Sequence, residues 1–217
     1  MLSLFKVKLP KITIKYGKLL DPIFVFYCKN KQDLKKQGWN DWVPPAQEKI
    51  KQRIYDYRQE WGKSEEKILR GMCNILDMKF KRNIIDVYIV SGSSRQLSDP
   101  IVIKSGFKPN EFVDSLTHEL IHKLFEDNIK KFPIMILKEM FPNETDTTRN
   151  HVITHSVLKY IYLDVLKDKS RLERNLEVSR KHRTNDYARA WEIVEERGYV
   201  ELIKLLKTKI KRGLSVY

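Results

Sequence analysis

Cysteine is nearly missing from this chain: Cys28 and Cys73 are the only two thiols in 217 residues. Two thiols so far apart in sequence make neither a disulfide framework nor a cysteine-built zinc site, and they suit a reducing compartment as buried apolar fillers. Long hydrophobic runs are missing too. No stretch approaches the ~20 apolar residues that a membrane-spanning helix requires. Lysines interrupt every apolar segment of Met1–Leu20, which argues against a secretory signal. The expectation is a cytoplasmic protein without a membrane partner. Glycine and proline are few, eight of each, and they form no linker. No repeat or low-complexity stretch appears. The chain is therefore expected to fold as one domain over residues 1–217, long enough for a full core.

Acidic charge is in deficit: 42 basic residues face 28 acidic ones, for a net charge of +14. Such an excess favours acidic partners, nucleic acid included. Most of these cations alternate with acids along helical patterns, however, which is the signature of a solvated helix face. Nucleic acid is accordingly the less favoured partner, and nothing in the sequence specifies an oligomeric state.

Histidine is scarce as well, with five residues, yet four of the five form two pairs spaced i,i+4. The first pair belongs to His118-Glu119-Leu120-Ile121-His122. On a helix this spacing puts two imidazoles one turn apart on one face, where they can share a Zn²⁺, with the intervening carboxylate placed to accept a proton from water. A helical context is predicted over 109–127: Pro109 and Glu111 suit a first turn, and Phe112, Val113, Leu116, Leu120, Leu124 and Phe125 recur at three- and four-residue spacing. A catalytic zinc usually takes three protein ligands. The second pair, His151 and His155, lies in an apolar-periodic helix running on towards Leu166 and offers the third. Glu144, two turns earlier if that helix starts early, is a further candidate, although acids near Asn143 also suit a helix N-terminus.

Upstream, Ile84–Val90 and Ile101–Ile103 read as short strands separated by Ser91-Gly92-Ser93-Ser94 and Asp99-Pro100. Strands followed by a metal helix resemble the zincin metallopeptidases, in which an edge strand above the active-site helix pairs with an extended peptide substrate. Ile101–Lys104 is the candidate edge. The second helix resembles that of the gluzincins, whose Asn-Glu-x-x-Ser-Asp supplies the third ligand and, four residues on, an acid that orients a ligating histidine. Asn150, Thr154 and the four-residue step match in kind, while the two acidic positions are His151 and His155 here. The resemblance covers only the two helices. It implies His151 as third ligand, with His155 as the alternative, as a supporting group or as an oxyanion stabiliser. A donor to the oxyanion from a distant segment, as in several zincins, would be His182 or Tyr187, although a solvated loop between helices is the preferred reading of that segment. The helix that begins at Tyr187 carries Trp191, which is read as core.

The remaining chain is read as a β-rich N-terminal elaboration over 1–45, from Phe5-Lys6-Val7-Lys8-Leu9, Ile12–Tyr16 and Ile23–Tyr27, then helices from Pro44-Pro45 to Gly62 and over Glu65–Met78. The expected fold class is α+β and zincin-like: a small mixed sheet on an active-site helix, with a mainly helical C-terminal half. The expected function is zinc-dependent peptide-bond hydrolysis of a peptide or protein substrate, with one Zn²⁺ per chain on His118, His122 and His151, Glu119 as general base and His155 assisting. The alternative is a non-hydrolytic metal-containing protein that associates with DNA or regulates, whose structural site would recruit a fourth protein ligand.

Overall fold

The computed structural model describes residues 8–132, 135–182 and 184–214. Its class is α+β, built on one four-stranded sheet. Strand β1 (Lys11–Tyr16) pairs in parallel with β2 (Ile84–Val90), from Lys11 opposite Ile84 to Tyr16 opposite Ile89. A two-residue strand β3 (Leu97–Ser98) lies antiparallel on β4 (Ile101–Lys104), which pairs in parallel with β2, so the order is β1-β2-β4-β3. Val87, Ile89, Ile101, Val102 and Ile103 are buried, as central parallel strands demand.

The chain divides into two compact units. A sheet unit takes Pro10–Glu65 with Arg82–Leu120, and a helical unit takes Glu66–Lys81 with the residues from Ile121 onward. In the sheet unit, α1 (Asp21–Asn30) and α2 (Gln32–Lys35) precede α3 (Gln47–Gly62). Helix α3 buries Ile50, Ile54, Tyr57 and Trp61, spaced at three and four residues, and packs against β1. Tyr57 stacks on Phe112, ring centroids 4.1 Å apart, and its hydroxyl lies 2.8 and 2.7 Å from the carbonyl oxygens of Ser105 and Phe107.

The helical unit begins with α4 (Glu65–Leu76), skips the helix described next, and continues through α6 (Met135–Met140), α7 (Asp146–Tyr160), a π-helical turn (Ile161–Val165), α8 (Lys169–Arg180), α9 (Asp186–Arg197) and α10 (Tyr199–Leu214). Helix α7 packs against both α9 and α10. Its buried residues include Val152, Ile153, Val157 and Leu158. Between the two sets of helices in sequence comes α5 (Pro109–Asp127), an unbroken helix within which the division into units falls.

The helices expected from Pro44-Pro45, over Glu65–Met78, at 109–127 and from Tyr187 are all present. Two expectations fail. Ile23–Tyr27 is helical, so the β-rich elaboration reduces to β1 among the described residues; Phe5, Lys6 and Val7 lie outside them. Asp21 and Pro22 open that helix. Proline has the φ of a first helical turn and no N–H to leave unpaired. Asp21 is then locked by Ser91, whose amide and hydroxyl donate to it at 2.6 and 2.7 Å. Nor is Ile101–Lys104 the outer strand. The chain reverses at Asp99-Pro100 and lays Leu97 opposite Val102, so β3 is the outer strand beside Ile101 and Val102. No helix among the described residues is long and apolar enough to cross a membrane.

Candidate metal centre

Helix α5 is fixed at its start by Pro109 and by Glu111, whose carboxylate accepts from the Lys108 amide at 2.9 Å, one half of a capping box. Near its end Lys123 pairs with Glu126 and Asp127, and Asp127 accepts from the Lys81 amide at 2.9 Å. His118 and His122 thus stand one turn apart on a well-anchored helix. Both are half-buried.

Helix α7 is capped by Thr145, whose hydroxyl oxygen accepts from the Thr148 amide at 3.0 Å. Asp186, the first residue of α9, accepts from the hydroxyls of both Thr145 and Thr148, which ties the start of α9 to the start of α7. Arg149 anchors the same turn to the carbonyls of Phe141 and Pro142, each at 2.8 Å. His151 therefore projects from a position held on several sides.

The His151 ring meets the His122 ring edge to face, centroids 5.2 Å apart and planes at 75°. Its Nδ1 lies 2.7 Å from the Thr147 carbonyl. A carbonyl only accepts, so Nδ1 carries the proton and Nε2 keeps its lone pair, the arrangement that orients a metal-ligating histidine. His118, His122 and His151 bring one ring nitrogen each to within 4.8 Å of one another, and together they could hold a metal ion. Burial disfavours the charged form of His122 and His151, as metal ligation requires. Desolvation, with a smaller contribution from His151, lowers the His122 pKa to about 3; desolvation likewise lowers those of His151 and His155. Three neutral imidazoles suit zinc among several divalent metals, and the donor set alone does not choose between them.

Glu119 is buried, with its Oε2 accepting from the Ser98 hydroxyl at 2.7 Å. The outer strand β3 thus touches the carboxylate of the His-Glu-x-x-His stretch. The sequence gives no warning of Ser98: its only local mark is that it precedes the Asp99-Pro100 turn. Asp186 and its threonine partners were missed for a similar reason, since their roles join segments far apart in sequence.

The other candidates fall elsewhere. Glu144 is engaged by Arg189, at 3.0 Å from Nη2 and 3.2 Å from Nε. His155 is 1 % exposed and lies flat on Trp191, centroids 4.4 Å apart and planes at 15°. Its ring is 5.6 Å from that of His151. Trp191 is core, as expected, and its indole N–H donates to Asn175 and Ser179. Tyr187 covers His151 at 4.2 Å between ring centroids and is itself covered by the exposed His182 at 4.2 Å.

Comparison with protein-family models, with curated proteins and with solved structures finds no match for this chain.

Proposed function

We propose that the chain is a zinc-dependent metallopeptidase. The observation that carries this reading is the convergence of His118, His122 and His151 around a helix turn that also bears the buried carboxylate of Glu119. Bound by three imidazoles, zinc supplies Lewis acidity and a water of lowered pKa. Everything else falls to the chain. His151 presents Nε2 because Thr147 holds Nδ1–H. Glu119 accepts the proton of the attacking water and returns it to the leaving amine, and Ser98 holds its carboxylate in register for that task.

The same contact suggests how a substrate would lie. An extended peptide adding to the outer edge of β3 would run beside Glu119, with main-chain hydrogen bonds giving affinity that does not depend on its sequence. Tyr187, whose ring lies 4.2 Å from that of His151, would serve as a donor to the carbonyl oxygen as it gains charge. His155, stacked beneath on Trp191, fits a supporting role better than a substrate contact. The likeness of α7 to the gluzincin second helix supports His151 as third ligand. The competing structural-metal reading needs a fourth protein ligand, and His155 is not one of the three histidines that converge.

The test is hydrolysis of an unfolded protein such as reduced casein by the zinc-loaded chain and by Glu119→Gln. Turnover that needs both zinc and Glu119 supports the reading; zinc bound tightly in a protein with no Glu119-dependent turnover overturns it.

A further inference from the structure

Among the longer helices α1 is the most apolar in composition, yet Asp21 and Cys28 are all that it buries. Leu19, Ile23, Phe26 and Tyr27 are 88, 63, 70 and 43 % exposed. Ile23, Phe26 and Tyr27 are spaced three and one apart on α1, so the three form one stripe along a helical face, and Leu19 is exposed in the turn just before it. Exposed apolar residues scattered singly need no explanation, whereas a contiguous stripe marks a contact surface.

Cations flank the stripe. Lys18 precedes Leu19, and Lys29, Lys31, Lys35 and Lys36 follow. The Lys31 ammonium sits at the stripe itself, 2.7 Å from the Tyr27 hydroxyl and 5.2 Å from the ring centroid. Of the two acids in this stretch, Asp21 is buried against Tyr16 and Ser91, which leaves Asp33 alone exposed. We propose that α1 docks this stripe on an anionic lipid surface, with Ile23 and Phe26 entering the boundary between headgroups and acyl chains and the lysines meeting headgroup phosphates.

The charge selects this occupant. A second copy would bring a like-charged, lysine-rimmed face against this one, in a chain of net charge +14. Nucleic acid would satisfy the lysines but leave Ile23 and Phe26 in water. An anionic bilayer takes both, because an interfacial helix needs an apolar face with flanking cations and no spanning length. The sequence expectation of no membrane partner rested on the lack of a spanning segment, which bears on a different mode of attachment.

The experiment is cosedimentation of the full chain with vesicles of phosphatidylcholine alone or with about one-third phosphatidylserine. The expected result is binding to the anionic vesicles at low salt, with at least ~10-fold weaker partitioning to phosphatidylcholine or at raised salt. Ile23→Ser with Phe26→Ser should lower anionic-vesicle binding by a further ~10-fold or more, at an unchanged thermal melt. Lys31→Gln with Lys35→Gln should lower it less and flatten the salt dependence. No sedimentation with anionic vesicles overturns the proposal, as does binding indifferent to the Ile23 and Phe26 pair. A dimer or a complex with duplex DNA that this pair abolishes would also overturn it, by giving the stripe to another occupant. None of these readouts depends on zinc or on hydrolysis.

Discussion

His122 and His151 come from different helices yet meet edge to face at 5.2 Å, the His151 ring aimed by its bond to the Thr147 carbonyl. Paired neutral imidazoles held in this way are intelligible as ligands. The protein should therefore bind about one zinc per chain after equilibration and removal of excess metal, measured by elemental analysis. His118→Ala, His122→Ala and His151→Ala should each abolish it. Full occupancy in any of the three removes that residue from the site.

Glu119→Gln keeps the size of the side chain and its contact with Ser98, but it cannot take up a proton. Zinc content should stay at the wild-type level while hydrolysis of unfolded protein falls by at least ~10²-fold. Ser98→Ala leaves the base in place and frees its carboxylate, so a loss of roughly tenfold is expected, with zinc again retained. Turnover unchanged in Glu119→Gln would show that the carboxylate is not the base.

His155→Phe separates a ligand from a supporting ring. Phenylalanine can keep the flat contact with Trp191, at 4.4 Å in the native pair, but it has no nitrogen. The variant should bind zinc with an affinity reduced no more than ~10- to 100-fold. A loss as complete as that in His151→Ala would make His155 a ligand.

The metal-free protein should lose stability as the solution is acidified. His122, lowered to about 3, and His151 and His155, lowered mainly by burial, resist protonation in the folded state. Unfolded histidines take up protons near pH ~6.5. Above that value both states are neutral and the effect vanishes. Below it the unfolded state binds more protons, so thermal midpoints should fall as pH drops from about 7 towards 4. Zinc should raise the midpoint near neutrality and lose hold as protons compete for the imidazoles. A midpoint flat across this range in the metal-free chain would contradict the neutral, desolvated cluster.

Gly71 lets α4 approach the π-helical turn. A Cβ there would lie 2.7 Å from Ile161 Cδ1 and 3.0 Å from Val165 Cγ2. Removing a helix-interior glycine gains ~0.5–1 kcal/mol, and overpacking a core costs ~1–3 kcal/mol. Ile161 is fully buried, so overpacking should win. Gly71→Ala should destabilise by about 1 kcal/mol in chemical denaturation, a net of these two effects. Adding Ile161→Val, which deletes the clashing methyl, should recover part of that loss. Simple additivity of the two changes would mean that the contact carries no strain.

The sequence by itself determined the elements whose periodicity is unambiguous. The seam of Phe112, Val113, Leu116 and Leu120 under Pro109 settled α5, and with it the placing of His118 and His122 on one face. The β-branched run Ile84–Val90 settled the central strand. Both signals are local, set by backbone sterics and by the burial of one face. Ile23–Tyr27 shows where such signals are ambiguous. Its aromatic and β-branched residues read as a strand, while Pro22 in the first turn and the bonds from Ser91 to Asp21 support a helix start there. Tertiary structure alone decided the rest. It put Ser98 against Glu119, gave Glu144 to Arg189, laid His155 on Trp191 and brought His151 to His122. Each of these joins residues far apart in the chain, and such a pairing depends on which surfaces find each other when the core closes, which no local periodicity encodes.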